Sequence, residues 1–293
     1  MSEVLLDQAT GLRRLLGAGA AVRSVAFAAC GKSGAGAGIT ANAAFALARR
    51  GSRVFVFDEG GEPSMAARFG LRPGHDLTAV MAREHPLAEV VVDGPEGVRF
   101  LAAGRGVARL AHMSFEEEQG LIRAFSALDP APDMLIADAA ALGDDVLPRS
   151  VLAAGEVVVV VCGGATDAIT EAYALMKRLA WDFARRRCHV LVCRVRERER
   201  AEVVFGNLRD TASRYLGLEL RWLGWIPDDE SMRKAERLHQ PVIGAFPDSG
   251  AAQAFRDVAE TVSAWPFAGE HGLGGFVQRL VRASRIAALD GDH

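Results

Sequence analysis

A glycine-rich stretch, Cys30-Gly31-Lys32-Ser33-Gly34-Ala35-Gly36-Ala37-Gly38-Ile39-Thr40, lies between the apolar run Val25–Ala29 and a segment of helical periodicity beginning near Thr40. Gly31, Gly34, Gly36 and Gly38 permit positive φ and close backbone approach, so this stretch can ring an anion with N–H donors at a helix start. A phosphate loop of the G-x-x-x-x-G-K-[ST] type adds a lysine on the terminal phosphates and a hydroxyl on Mg²⁺. Ala37 and Gly38 stand in those two places here, and Lys32 is the one cation inside the loop. Asp58 ends the run Val54–Phe57 and Asp138 ends Met134–Ala137. From strand ends of this kind a carboxylate can hold Mg²⁺ directly or through water. Equally, such aspartates can cap the turns that follow.

The elements that must position these residues read as alternating β and α units. Apolar runs recur at Val25–Ala29, Val54–Phe57, Val98–Ala102, Met134–Ala137, Val157–Cys162, His189–Val195 and Leu220–Trp225. Runs of Val, Ile and Leu without alternation predict strands covered on both faces, hence a mainly parallel, doubly wound α/β sheet. Helices are predicted over Ala41–Arg50 closed by Gly51, Phe115–Leu128 opened by Ser114, and Asp167–Arg186 opened by Thr166. Ser114 and Glu117 have the spacing of a capping box. Ligands of such sheets bind at the carboxyl ends of the strands, which puts Gly31–Gly38, Asp58 and Asp138 on one rim. Gly36-Ala37-Gly38-Ile39-Thr40-Ala41 also fits the dinucleotide pattern G-x-G-x-x-A, with Asp58 as a ribose acid. The fingerprint should open where the strand ends, however, and Gly31–Ala35 intervene, which suits a longer phosphate loop.

Composition narrows the classes. With 293 residues, half of them hydrophobic, the chain can bury a large core. A net charge of −3 argues against a general nucleic-acid coat, so no direct nucleic-acid contact is expected. Cys30, Cys162, Cys188 and Cys193 lie in apolar runs with no C-x-x-C pair, which predicts buried thiols in a reducing cytosol. The opening MSEVLLDQATGLRRLL has no signal-peptide pattern, and Val157–Cys162 is far too short to span a bilayer. A cytoplasmic protein follows, with any membrane contact peripheral.

Two segments fall outside the predicted core of residues 21–268. In residues 1–20, Leu5, Ala9, Leu12, Leu15 and Leu16 form an apolar stripe beside Arg13 and Arg14, ahead of Gly17-Ala18-Gly19, as in a detachable docking helix. In residues 269–293, Phe276, Val277, Leu280 and Val281 share one face while Arg279, Arg282 and Arg285 occupy another. Such a helix can lie on an anionic membrane or pack on its own domain.

The stretch Asp7-Gln8-Ala9-Thr10-Gly11-Leu12-Arg13 resembles the DQAxxLR helix that opens the FlhG (YlxH/FleN) flagellar-number ATPases, relatives of MinD and ParA. Similar features follow in family order: Cys30–Gly38 at the deviant phosphate loop, the helix Ala41–Gly51, Val54–Asp58, and Gly70-Leu71-Arg72-Pro73. Ile136–Ala140, Asp167–Leu175, Leu223–Asp228 and Phe246–Ala252 complete a likeness over nearly the whole chain. The family loop reads approximately G-K-G-G-V-G-K-[ST]. The resemblance therefore matches Lys32 to the signature lysine that reaches across a dimer, with Ala37 and Gly38 replacing the loop lysine and the Mg²⁺-binding hydroxyl. Alignment through Asn42 implies one residue missing between loop and helix. Gly60 replaces the second, water-orienting acid of a D-x-D motif, and Cys193 stands where an asparagine often reads adenine. Asp58 and Asp138 match the metal-side acids.

The resemblance implies ATP and Mg²⁺ as ligands, and these substitutions imply weak or absent binding and hydrolysis. Each lost electrostatic contact is worth several kcal/mol in the transition state, so ordinary turnover is not expected. A regulator of flagellar number and placement that acts by binding partners is the implied function, with an ATP-dependent dimerising switch, or a MinD-like paralogue for another polar or secretion system, as alternatives. The implied partners are an FlhF-type SRP GTPase at Asp7, Gln8, Ala9, Leu12 and Arg13, the flagellar switch or C-ring, and a flagellar transcription activator. The basic C-terminal helix resembles the family's membrane-targeting sequence, with the inner membrane as its surface.

Overall fold

The computed structural model describes residues 21–31, 36–60, 64–139, 147–163, 166–266 and 272–290. The expected docking helix at residues 1–20, including Asp7, Gln8, Ala9, Leu12 and Arg13, lies outside them, as do Lys32 and Gly34.

Eight strands form one sheet: β1 (Arg23–Cys30), β2 (Val54–Asp58), β3 (Val92–Asp93), β4 (Arg99–Ala102), β5 (Met134–Ala139), β6 (Glu156–Cys162), β7 (Arg187–Val195) and β8 (Glu219–Pro227). Their order is β3-β4-β2-β5-β1-β6-β7-β8, parallel throughout except for the antiparallel β3–β4 edge. The seven apolar runs are all strands, as expected for segments covered on both faces, and β6 shows why. Val157 to Val161 are all fully buried, a pattern that a sheet with one wet face cannot produce. The added strand, β3, has two residues and too little apolar length to be read from sequence.

The helices used below are α1 (Gly36–Arg49), α2 (Met65–Arg68), α3 (Phe115–Ser126), α4 (Arg149–Ala153), α5 (Thr166–Trp181), α6 (Arg198–Leu216), α7 (Glu230–Arg237), α8 (Gly250–Ala264) and α9 (Leu273–Asp290). Two apolar cores cover the sheet, one with α3, α4, α5, α6 and α9, the other with α1, α7 and α8. Ser114 caps α3 in a full capping box: its hydroxyl accepts from the Glu117 N–H while the Glu117 carboxylate accepts from the Ser114 N–H. The predicted start of α1 at Ala41 is corrected to Gly36, because glycines read as loop are taken up in its first turn.

The C-terminal segment is not an appendage in this structure. Phe276 and Leu280 are 1% exposed and Val277 and Val281 are 0% exposed, all within the same core as β2 and α3. The Phe276 ring meets Phe57 edge-on at 5.4 Å between centroids. The arginine face is tied down as well. Arg279 Nε donates to the Ala153 carbonyl at 2.7 Å, closing the end of α4, and Arg285 pairs with Glu118 at 2.9 Å. Only Arg282 of the expected membrane set is exposed. The stripe that resembled a membrane face is the face α9 buries against its own domain, because burying four large apolar side chains outweighs leaving them in water.

Candidate functional site

The phosphate-loop region begins at Gly31, where β1 ends. Its φ of +111° is one that L side chains rarely adopt, so glycine is required there. The Gly31 N–H donates to the Glu171 carboxylate of α5, which places an acidic side chain at the mouth of the loop. Gly36 is needed for a different reason. It has helical conformation, but a Cβ there would lie 2.2 Å from the Ala29 Cβ, so α1 approaches β1 closely only with glycine. A Cβ at Gly38 would meet nothing within 4 Å. Among the described residues, the place where the pattern has its hydroxyl is therefore open, available to a side chain that this chain does not carry.

Asp58 and Asp138 do meet at the rim, as adjacent register partners on β2 and β5. Both are turned inward. Asp58 Oδ1 accepts from the Gly60 N–H at 3.0 Å and Oδ2 from the Met65 N–H at 2.6 Å, so its carboxylate fixes the chain entering α2. Asp138 Oδ1 accepts from the Thr40 hydroxyl at 2.6 Å, and Thr40 is 1% exposed. Burial pushes the Asp138 carboxyl up to about 7, with the nearby Asp58 charge adding to the shift and the Thr40 hydrogen bond opposing it. Glu59 is a third buried acid. Its carboxylate accepts from the Arg149 and Ser150 N–H groups and the Ser150 hydroxyl at the start of α4, while burial still raises its pKa.

This donor set does not fit a divalent ion among the described residues. A protein site for Mg²⁺ offers one or two ionised carboxylates, or a hydroxyl, in near-ideal octahedral geometry with waters and phosphates. Here both Asp58 oxygens already accept backbone N–H groups that fix their direction, Asp138 is held toward its neutral form, and Gly38 has no hydroxyl. Thr40 is the feature that the loop pattern missed: four residues after Gly36, its hydroxyl also donates to the Gly36 carbonyl at 3.1 Å, so it belongs to the helix and not to a metal.

Beside the rim, a cleft of about 490 Å³ opens between α1, α2, β8 and α7. Gly38, Asn42, Arg68, Arg194, Ile226 and Arg233 are among its walls. Arg233 is paired with Asp228 at 2.8 Å. Arg68 lies 3.5 Å from Glu236, and its buried Nε has no hydrogen-bond partner among the described residues.

No protein-family model matches the sequence. The chain is similar to the antiactivator FleN of Pseudomonas aeruginosa, 39% identical over 257 residues, covering 86% of this chain and 91% of that protein. It belongs to the FlhG/FleN family. A second member, the flagellum site-determining protein YlxH of Helicobacter pylori, is 23% identical over 267 residues, covering 86% of this chain and 87% of that one. The fold matches MinD from Pyrococcus horikoshii, solved with Mg-ADP, with a TM-score of 0.62 and 21% identity, over 83% of this chain and 96% of that chain. This FlhG/FleN chain thus has the MinD/ParA-like architecture. Its departures from the family pattern now have positions. Cys193 is fully buried and its thiol faces Cys162, so it does not line the cleft; Arg194 and Ile226, beside it in sequence and in register, do.

Proposed function

We propose that this chain is an FlhG/FleN-type regulator of flagellar number and placement that works by binding partners, with weak or absent ATP hydrolysis. The observation that carries this reading is the state of the rim acids: Asp58, Glu59 and Asp138 are engaged by internal donors while positions 37 and 38 carry no cation or hydroxyl. Charge developing on a transferred phosphoryl group would meet neither the lysine nor the metal that stabilises it. Isothermal titration with ATP and Mg²⁺, paired with a phosphate-release assay, tests this. Heats too small for a low-micromolar affinity and turnover at the blank rate are expected; a low-micromolar Kd would overturn the reading.

One observation favours a second reading, a nucleotide-dependent dimerising switch. The cleft beside α1 holds Arg68, whose Nε has no hydrogen-bond partner among the described residues, and the exposed Arg194, cations that can meet a nucleotide's phosphates without the loop lysine. ATP-dependent dimerisation in analytical ultracentrifugation would support this switch; an unchanged sedimentation coefficient argues for the partner-binding module. The partners proposed are an FlhF-type GTPase, engaged through residues 7–13, and the flagellar switch or C-ring or a flagellar transcription activator. A peptide spanning residues 1–20 should stimulate that GTPase, and replacing Gln8 and Arg13 should remove the stimulation. Residence at the inner membrane would require α9 to leave the core first, and sedimentation with anionic vesicles reads that out.

A further inference from the structure

The family reading makes no use of the thiols, yet three of the four cysteines converge at the carboxyl ends of the central strands: Cys30 on β1, Cys162 on β6 and Cys193 on β7. Cys162 and Cys193 are register partners across β6 and β7, with Sγ atoms 3.0 Å apart. Neighbouring strands are about 4.8 Å apart, inside the Cα separation of about 4.4–6.8 Å that a disulfide accepts. The sulfurs need to close only to about 2.05 Å. We infer that Cys162 and Cys193 are a redox pair, which a peroxide converts to an intrachain disulfide.

The two thiols are differentiated in the way such a pair requires. Cys162 is partly exposed and Cys193 fully buried, so an oxidant reaches the first. The Cys193 S–H donates to the Cys162 sulfur, which lowers the Cys162 pKa and raises that of Cys193, and the Arg194 charge adds to the first effect. Cys162 thiolate attacks one peroxide oxygen; the O–O bond breaks, hydroxide leaves, and the sulfur becomes a sulfenic acid. The Cys193 sulfur then attacks it, the S–O bond breaks, and the departing hydroxide takes the Cys193 proton as water. Two thiols and hydrogen peroxide give one disulfide and two waters, with two electrons passing from the sulfurs to peroxide. The other cysteines lack this arrangement. Cys30 is level with Val161 and fully buried, and Cys188 is level with Leu220 at the opposite end of β7, where burial raises its thiol to about 11.

The experiment treats the full chain with a small excess of hydrogen peroxide, then counts thiols after denaturation and maps peptides by mass spectrometry. The count should fall from four to two, with a linked peptide pair containing Cys162 and Cys193 lighter by two hydrogens, restored by dithiothreitol. Cys162→Ser and Cys193→Ser should each abolish the link, and Cys188→Ser should leave it intact. Four thiols remaining under conditions that oxidise free cysteine, or a link through Cys30 or between two chains, overturns the assignment. The map of the unaltered chain decides the matter even if a serine variant fails to fold.

Discussion

Replacing Asp138 by asparagine should stabilise the protein, and only above a definite pH. The Asp138 carboxyl stands at about 7 against an ordinary 3.8. At about 1.4 kcal/mol per pH unit, that displacement amounts to an ionisation penalty of up to about 4 kcal/mol at alkaline pH. The sign follows from proton counting. Between pH 4 and 7 the folded chain holds a proton that the unfolded chain has released, so Asp138 makes stability fall as pH rises through this window. Above 7 the penalty is fully present; below 4 both states are protonated and it vanishes. An asparagine side chain would keep an acceptor for the Thr40 hydroxyl and carry no charge beside Asp58. Urea unfolding at pH 4, 6 and 8.5 should therefore give nearly equal stabilities at pH 4 and an Asp138→Asn gain of about 2–4 kcal/mol at pH 8.5. A gain independent of pH, or a loss at pH 8.5, would refute the account of a carboxylate ionised against its surroundings.

Three further outcomes separate the competing explanations. Phe276→Ala should cost about 3–5 kcal/mol in urea unfolding, as for any buried phenylalanine, and the wild-type chain should not sediment with anionic vesicles; vesicle binding lost in the variant without loss of stability would return α9 to the membrane. Gly36→Ala should lower the melting temperature, since the new Cβ would sit 2.2 Å from Ala29 Cβ and overpacking costs about 1–3 kcal/mol; an unchanged Tm would mean that α1 can shift freely. The double change Ala37→Lys with Gly38→Thr restores both side chains after Gly36, into space that is open at position 38. It should tighten ATP binding at least about tenfold by calorimetry, the effect of roughly 1.4 kcal/mol from one charge-assisted contact. No change would show that the missing cation does not limit ATP binding at this loop.

What was legible in the sequence follows the physics of each signal. Continuous runs such as Val157–Val161 announce a parallel sheet because alternation is absent, and Ser114 with Glu117 announces a helix start because both partners are local. The two-residue β3 and the first turn of α1 carried no such local mark; β3 is held by pairing with β4, and Gly36 opens α1 because β1 lies too close there for anything larger. The site was half legible. Sequence put Asp58 and Asp138 on one rim, where they are, but could not say which way they face; that depends on the N–H groups of Gly60 and Met65 and on Thr40, contacts spanning up to 98 residues. The stripe at Phe276–Val281 was ambiguous in principle, since a core and a bilayer select the same residues. Only the partner surface, with Phe57 and α3, distinguishes them.

The three acids at the rim each meet internal donors. A lysine at position 37 would have served as counter-charge to the acids as well as to phosphate, and its absence leaves buried carboxylates to be compensated otherwise. The compensation is visible: Asp58 anchors α2, Glu59 anchors α4, and Asp138 takes the Thr40 hydroxyl and shifts toward its neutral form. Removing Asp58 or Glu59 would leave N–H groups unpaired inside the protein, at about 1–3 kcal/mol each. Folding alone therefore favours these acids, whether or not the site hydrolyses ATP. A hydroxyl at position 38 has no such second duty among the described residues, since a Cβ there would touch nothing within 4 Å.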